Sequence, residues 1–155
     1  MSDEQGKGGL QRRSAERVDV KLGVSWRHLD KGESDKLMTS GDYSEVFSIH
    51  DLHEHVDEAA LERKAYTENL SVSGVKLVGD LRLETGEPLK EGWDLMVSID
   101  IPNSPIPVRA LAVVVWIAPA ENGQMQTGLF FQGINKQDVE KVTKLLIMYK
   151  RAQHS

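Results

Sequence analysis

Two short segments of this chain carry side chains suited to binding a small anion. In the first, Arg13 and Arg17 stand four residues apart in a polar stretch, with Arg12 directly before them. The second segment, residues 69–74, has the sequence NLSVSG, in which apolar residues alternate with amide or hydroxyl residues up to a glycine. Because glycine tolerates positive φ and close approach, the second segment predicts a strand end whose backbone is open to a ligand.

Composition and charge narrow the class of protein. A chain of 155 residues with 39% hydrophobic residues is sufficient for one compact domain. The formal net charge of -5 argues against binding long DNA or RNA, which needs a broad cationic surface, whereas a small anion needs only a local patch. Cysteine is absent, which excludes a disulfide scaffold, a thiol nucleophile and a thiolate zinc site.

The chain ends and the hydropathy pattern indicate location and domain limits. No apolar run approaches the length of a membrane span, and the first nine residues carry acids and glycines where a signal peptide needs apolar residues. We therefore expect a cytoplasmic protein without direct membrane insertion. Residues 1–11 are expected to form a flexible tail, residues 12–150 one domain, and residues 151–155 a C-terminal tail.

Alternation of apolar and polar residues predicts a series of strands. The first runs from Val18 to Trp26, and further alternations follow Gly74 and extend from Trp93 to Ile101. The most apolar segment, residues 106–117, is followed by Asn-Gly at 122–123, a pair typical of hairpins, and by a last strand at 127–131. Regularly spaced turns of this kind favour a small closed barrel or a sandwich.

Two helices are predicted outside these strands. Asn135, with Asp138 as its capping partner, begins a C-terminal helix with one apolar face. Residues 30–47 are polar and rich in turn residues, which predicts a loop with short pairing near 43–47. A capping-box pattern at residues 48–51 then predicts a short amphipathic helix that ends near Arg63.

Taken together, the two segments resemble the signature of the PilZ domain family, RxxxR followed by (Asp or Asn)-x-Ser-x-x-Gly. The resemblance covers about residues 12–150 apart from an insertion at about 30–66. It implies a mainly β fold, a six-stranded antiparallel β-barrel with a C-terminal α-helix, here with an inserted loop or short helix after the first strand. It also implies a receptor for cyclic di-GMP that is not an enzyme and needs no cofactor.

By this resemblance the ligand site comprises Arg12, Arg13, Arg17, Asn69, Ser71 and Gly74. An arginine fork matches a phosphate or the Hoogsteen edge of guanine with two parallel hydrogen bonds, which lysine cannot reproduce. Asn69 and Ser71 lie two apart, so in a strand they would share a face that contacts guanine edges. Gly74 would allow close approach of the ligand, and the additional Arg12 suits a stacked pair of ligand molecules.

The implied mechanism is that ligand capture orders the N-terminal arginine segment and reshapes a surface for a protein partner in motility, biofilm or exopolysaccharide control. Two other functions fit the pattern less well. One is a PilZ-like protein-interaction module that does not bind nucleotide and uses residues 30–66 as its contact surface. The other is a small-barrel nucleic-acid binder, which the negative charge disfavours.

Other residues of chemical interest have simpler interpretations. His50, His53 and His55 lie among acids, but in a helix His55 would point away from the other two, so a solvated helix is favoured over a metal site. The three tryptophans sit in apolar alternations, which predicts core packing and not stacking platforms: Trp26, Trp93 and Trp116. Neither a nucleophile elbow nor a phosphate-binding GxxxxGK[ST] motif occurs.

Overall fold

A computed structural model describes residues 16–41, 43, 64–83 and 85–154 of the chain. Within these ranges the strands are, in chain order, β1 (Val18–Asp19), β2 (Gly23–Leu29), β3 (Lys64–Leu70), β4 (Gly74–Gly79), β5 (Asp94–Ile99), β6 (Val108–Pro119) and β7 (Met125–Ile134). Helix α1 (Lys31–Ser40) follows β2, and helix α2 (Lys136–His154) follows β7. A 3₁₀ turn (Glu121–Gly123) joins β6 to β7.

The strands form one antiparallel sheet in the order β1-β3-β2-β5-β6-β7-β4. An additional pairing between β3 and β4 closes strands β2 to β7 into a six-stranded barrel and leaves β1 as an extra strand on β3. The predicted antiparallel barrel with a C-terminal helix is therefore confirmed. The Asn-Gly hairpin is confirmed as well, because Asn122 and Gly123 have φ angles of 59° and 75° in the turn between β6 and β7.

In each strand the apolar residues of the alternating pattern point into the barrel. Examples that are at most 2% exposed are Val24, Leu77, Val97 and Leu129. Helix α2 adds Val142 and Leu145 to this core. The burial of Val18, Val20, Leu22, Val24 and Trp26 confirms the predicted alternation of the first strand.

That first strand is interrupted between Asp19 and Gly23. The hydroxyl of Thr67 lies at the interruption, where it accepts a hydrogen bond from the backbone N–H of Leu22 at 2.9 Å and donates one to the carbonyl of Val20. This side chain replaces part of the missing strand pairing, so the N–H of Leu22 and the carbonyl of Val20 stay hydrogen-bonded. β1 consequently forms a separate short strand next to the end of β3.

The prediction of a loop over residues 30–47 is wrong for Lys31–Ser40, which form α1. Asp30 caps this helix: its Oδ1 accepts from the N–H of Glu33 at 2.8 Å, and Glu33 Oε1 accepts from the N–H of Asp30 at 3.1 Å. Gly41 ends it in the left-handed conformation, with φ 73°. The predicted helix ending near Arg63 and the three histidines at 50, 53 and 55 lie outside the described residues.

The C-terminal helix is longer than predicted. α2 continues to His154, so residues 151–154, assigned to a tail from sequence, are helical. Asp138 lies near its start, and the Oδ2 of this buried carboxylate accepts a hydrogen bond from the backbone N–H of Arg109 at 3.2 Å, which ties the helix to β6. In the part of the chain that the structure covers, no helix has both the length and the hydropathy needed to cross a membrane.

Candidate ligand-binding site

The pairing of β1 with β3 brings the two predicted ligand segments together. Val18 is the register partner of Leu70 and Asp19 that of Asn69, so the residue just before β1 lies beside the end of β3. There, Arg17 Nη1 donates a hydrogen bond to Asn69 Oδ1 at 3.2 Å, at an exposed position. Arg12 and Arg13 lie outside the described residues.

Ser71 lies in the tight turn between β3 and β4 and is completely buried. Its Oγ accepts hydrogen bonds from the backbone N–H groups of Ser73 and Gly74, each at 3.1 Å, and the Ser71 N–H donates to the Gly74 carbonyl at 2.9 Å. We expected Ser71 to share a strand face with Asn69. Because β3 ends at Leu70, the hydroxyl instead holds the turn that follows Asn69.

Gly74 begins β4 and faces the backbone of β7. Its φ is not positive, so the freedom of glycine to adopt positive φ is not used at this position. A Cβ at this position would overlap the carbonyl oxygen of Leu129, and Gly74 is the register partner of Phe130. Packing between β4 and β7 is therefore sufficient to explain the glycine, whether or not a ligand also approaches it.

Sequence reasoning missed the side chains next to Asn69 on the outer wall of the barrel. Lys76 on β4 is the register partner of Asn69, and its Nζ forms an ion pair with Glu68 Oε1 at 2.7 Å. Elsewhere on β3, Tyr66 is 44% exposed, and Lys21 Nζ lies 4.8 Å from its ring centroid. Alternation with Val75 and Leu77 marks Lys76 as outward-facing, but only the strand register shows that it neighbours Asn69.

The segment before β1 also contacts the C-terminal helix. Lys150 Nζ of α2 lies 2.7 Å from Glu16 Oε1, one residue before Arg17. Beneath this ion pair is a groove of about 220 Å³ lined by Val18, Val72 and Leu146, among others. Glu16, the residue before Arg17, is thus in direct contact with α2.

The three tryptophans differ in their surroundings. Trp26 is 7% exposed and belongs to the core, and Trp93 packs against that core and stacks on His28 with ring centroids 4.1 Å apart. The prediction of core packing is wrong for Trp116, whose indole lies on the outer wall across Gly128. Within the described ranges, no group of three or more His, Asp or Glu side chains is arranged to hold a metal ion.

Solved structures of PilZ proteins share this fold. The Bacillus subtilis inhibitor of motility, MotI, is 18% identical with a TM-score of 0.57; the match covers 92% of this chain and 52% of MotI, so the chain spans about half the length of that protein. The PilZ domain of Escherichia coli YcgR, solved with cyclic di-GMP, is 9% identical over 92% of this chain and 95% of that domain, with a TM-score of 0.53. A tetrameric PilZ protein from Xanthomonas campestris is 14% identical over 90% of both chains, with a TM-score of 0.52.

The sequence itself matches the family model of the PilZ domain over residues 48–147. No curated protein matches the chain significantly. The family match includes Asn69, Ser71 and Gly74 but begins after Arg17, whose link to Asn69 is the hydrogen bond described above. It covers more than half of the chain, and the barrel with its C-terminal helix agrees with it. This chain belongs to the PilZ domain family.

Proposed function

We propose that this protein is a cyclic di-GMP receptor that acts as an adaptor and has no catalytic activity. The observation that carries the proposal is the hydrogen bond from Arg17 to Asn69, which joins the two halves of the family signature across 52 residues of sequence. A structural neighbour, the YcgR domain, is a PilZ domain with cyclic di-GMP. The proposed ligand residues are Arg12, Arg13, Arg17 and Asn69, with Ser71 and Gly74 shaping the turn beside them.

The chemistry of Arg17 supports this assignment. Its contact with Asn69 is a hydrogen bond to a neutral amide at an exposed position. A phosphate, or the O6 and N7 acceptors of guanine, would offer the guanidinium two parallel hydrogen bonds in place of that one. Replacing the hydrogen bond from Arg17 to the Asn69 amide by bonds from Arg17 to the ligand is therefore favourable. The Asn69 side chain would then be released to contact a guanine edge.

The proposed signal passes from the ligand to a protein partner in the cytoplasm. Ligand capture would order the arginine segment, residues 12–17, over the barrel wall. Because Glu16 is paired with Lys150, a change in that segment would alter the surface of α2 as well. Motility is the favoured process, since one structural neighbour is named an inhibitor of motility. Biofilm and exopolysaccharide control remain within the proposal.

Calorimetric titration of the full chain with cyclic di-GMP tests the proposed function, with cyclic di-AMP and GMP as control ligands. We expect saturable binding of cyclic di-GMP and much weaker binding of cyclic di-AMP, because adenine has an amino donor where guanine has the O6 acceptor. GMP should also bind weakly, because it carries a single base. Absence of heat with cyclic di-GMP, or equal binding of cyclic di-AMP, would overturn the proposal and favour the protein-interaction module.

A further inference from the structure

A row of register partners crosses the outer wall of the barrel from the candidate site. It begins at Asn69 on β3, continues through Lys76 on β4 and Gly128 on β7, and ends at Trp116 on β6. The strand neighbours of Lys76 and Gly128, such as Leu77 and Leu129, are buried in the core. Since side chains alternate across a strand, this row faces the outside of the barrel.

Gly128 allows the indole of Trp116 to lie against this wall. A Cβ on Gly128 would come within 2.7 Å of Trp116 Cε2 and 2.8 Å of Trp116 Cδ1, so the ring covers the position where any other residue would place a side chain. The indole is only partly buried and does not belong to the core cluster. Core packing therefore does not explain this large aromatic side chain.

A cation stands beside the ring. Lys76 Nζ lies 5.9 Å from the centroid of Trp116, and its ion pair with Glu68 keeps the ammonium on the wall. The row thus places an amide, a cation and an aromatic surface next to one another. A nucleotide presents the matching groups: a base edge, a phosphate and a flat ring that can stack on an aromatic side chain.

We propose that the indole of Trp116 is a stacking surface for one guanine of cyclic di-GMP and that Lys76 faces its phosphate. The inference rests on the proposed function and extends that site by two strands. Neighbouring strands are about 4.8 Å apart, so an indole over β7 lies roughly 10 Å from β3. The two guanines of one cyclic dinucleotide can then be held separately, one by Arg17 and Asn69 and the other by Trp116.

The test compares cyclic di-GMP binding by wild type, Trp116→Ala, Trp116→Phe and Val115→Ala, by calorimetry on the full chain. Val115 is the matched control because it is an adjacent apolar residue of β6 and is 53% exposed. Loss of a base-stacking aromatic weakens binding by about tenfold or more. We expect such a loss for Trp116→Ala, a smaller loss for Trp116→Phe, which retains a ring, and a change of less than about twofold for Val115→Ala.

Tryptophan fluorescence supplies a second readout, and Trp116→Phe keeps the test decisive if Trp116→Ala does not fold. Saturating ligand should change the emission of wild type, and this change should disappear in Trp116→Phe, where only Trp26 and Trp93 remain. If wild type binds but Trp116→Ala binds equally well, or if the fluorescence change persists in Trp116→Phe, the stacking role is wrong and the proposed function stands. If wild type does not bind cyclic di-GMP, both fail together.

Discussion

Arg17 and Asn69 are 52 residues apart in sequence, yet Arg17 Nη1 lies 3.2 Å from Asn69 Oδ1. The short pairing of β1 with the end of β3 produces this contact, because Asp19 and Asn69 are register partners. The neighbouring Glu16 is paired with Lys150 of α2, so three parts of the chain meet at the start of the barrel. A ligand that displaces the Arg17–Asn69 hydrogen bond therefore acts where the arginine segment, the barrel and the helix are in contact.

Ser71→Ala should destabilise the fold even without ligand. The Ser71 hydroxyl accepts from two backbone N–H groups in the β3–β4 turn, and loss of such a buried acceptor costs about 1–3 kcal/mol. Ser73→Ala is the matched control, because the contact of its hydroxyl is with Ser71 Oγ at 3.2 Å, and it should cost less than about 1 kcal/mol. Urea denaturation measures both, and equal stability of Ser71→Ala and wild type would contradict the role assigned to this hydroxyl.

Gly74→Ala should also lower the free energy of unfolding, by about 1–3 kcal/mol or more, since the new Cβ would overlap the Leu129 carbonyl and force β4 away from β7. Gly32→Ala provides the contrast. Its Cβ would meet Asp30 Oδ1 at an ordinary 3.4 Å, within a helix that favours alanine over glycine by up to about 1 kcal/mol. We expect Gly32→Ala to be neutral or stabilising in the same denaturation measurement. The packing explanation fails if Gly74→Ala is as stable as wild type.

Asp30→Ala should remove the capping box of α1 and destabilise the protein by about 0.5–2 kcal/mol, because the Glu33 N–H loses its acceptor. Asp35→Ala, an exposed acid within the same helix, is the control and should change stability by less than about 0.5 kcal/mol. Thermal unfolding followed by circular dichroism compares the two. A melting temperature for Asp30→Ala equal to that of Asp35→Ala would show that the cap contributes nothing.

Much of the barrel was predictable because apolar alternation reports which face of a strand is buried. The hairpin at 122–123 and the helix after Asn135 have the expected structure, and the stretch from Val18 to Trp26 has the expected burial although it forms two strands and not one. Helix α1 was missed because it buries only Ser34 and Leu37 and has little apolar periodicity. Its signal was the local pair Asp30 and Glu33, which is a capping box in a segment that otherwise resembles a loop.

The candidate site was less predictable, because local patterns do not specify register. The motif residues Asn69, Ser71 and Gly74 could be identified from sequence. The sequence did not show that the Ser71 hydroxyl bonds within the turn or that Gly74 faces the carbonyl of Leu129. The sequence alternation of β6 predicts that Trp116 faces the core. It lies outside the core because a bulge shifts the pairing of β6 and β7 between Val114 and Trp116. Such shifts depend on the partner strand, which the alternation of one strand cannot show.

The most direct test of the central claim is a calorimetric comparison of cyclic di-GMP binding by wild type, Arg17→Ala and Arg151→Ala. Arg151 is an exposed arginine on α2, so it controls for loss of one positive charge. We expect saturable binding by wild type and Arg151→Ala. Binding by Arg17→Ala should be weaker by at least about tenfold, because charge-assisted hydrogen bonds are lost, with stability changed by less than about 1 kcal/mol. Binding by Arg17→Ala with wild-type affinity would contradict the claim, as would a wild-type protein that does not bind.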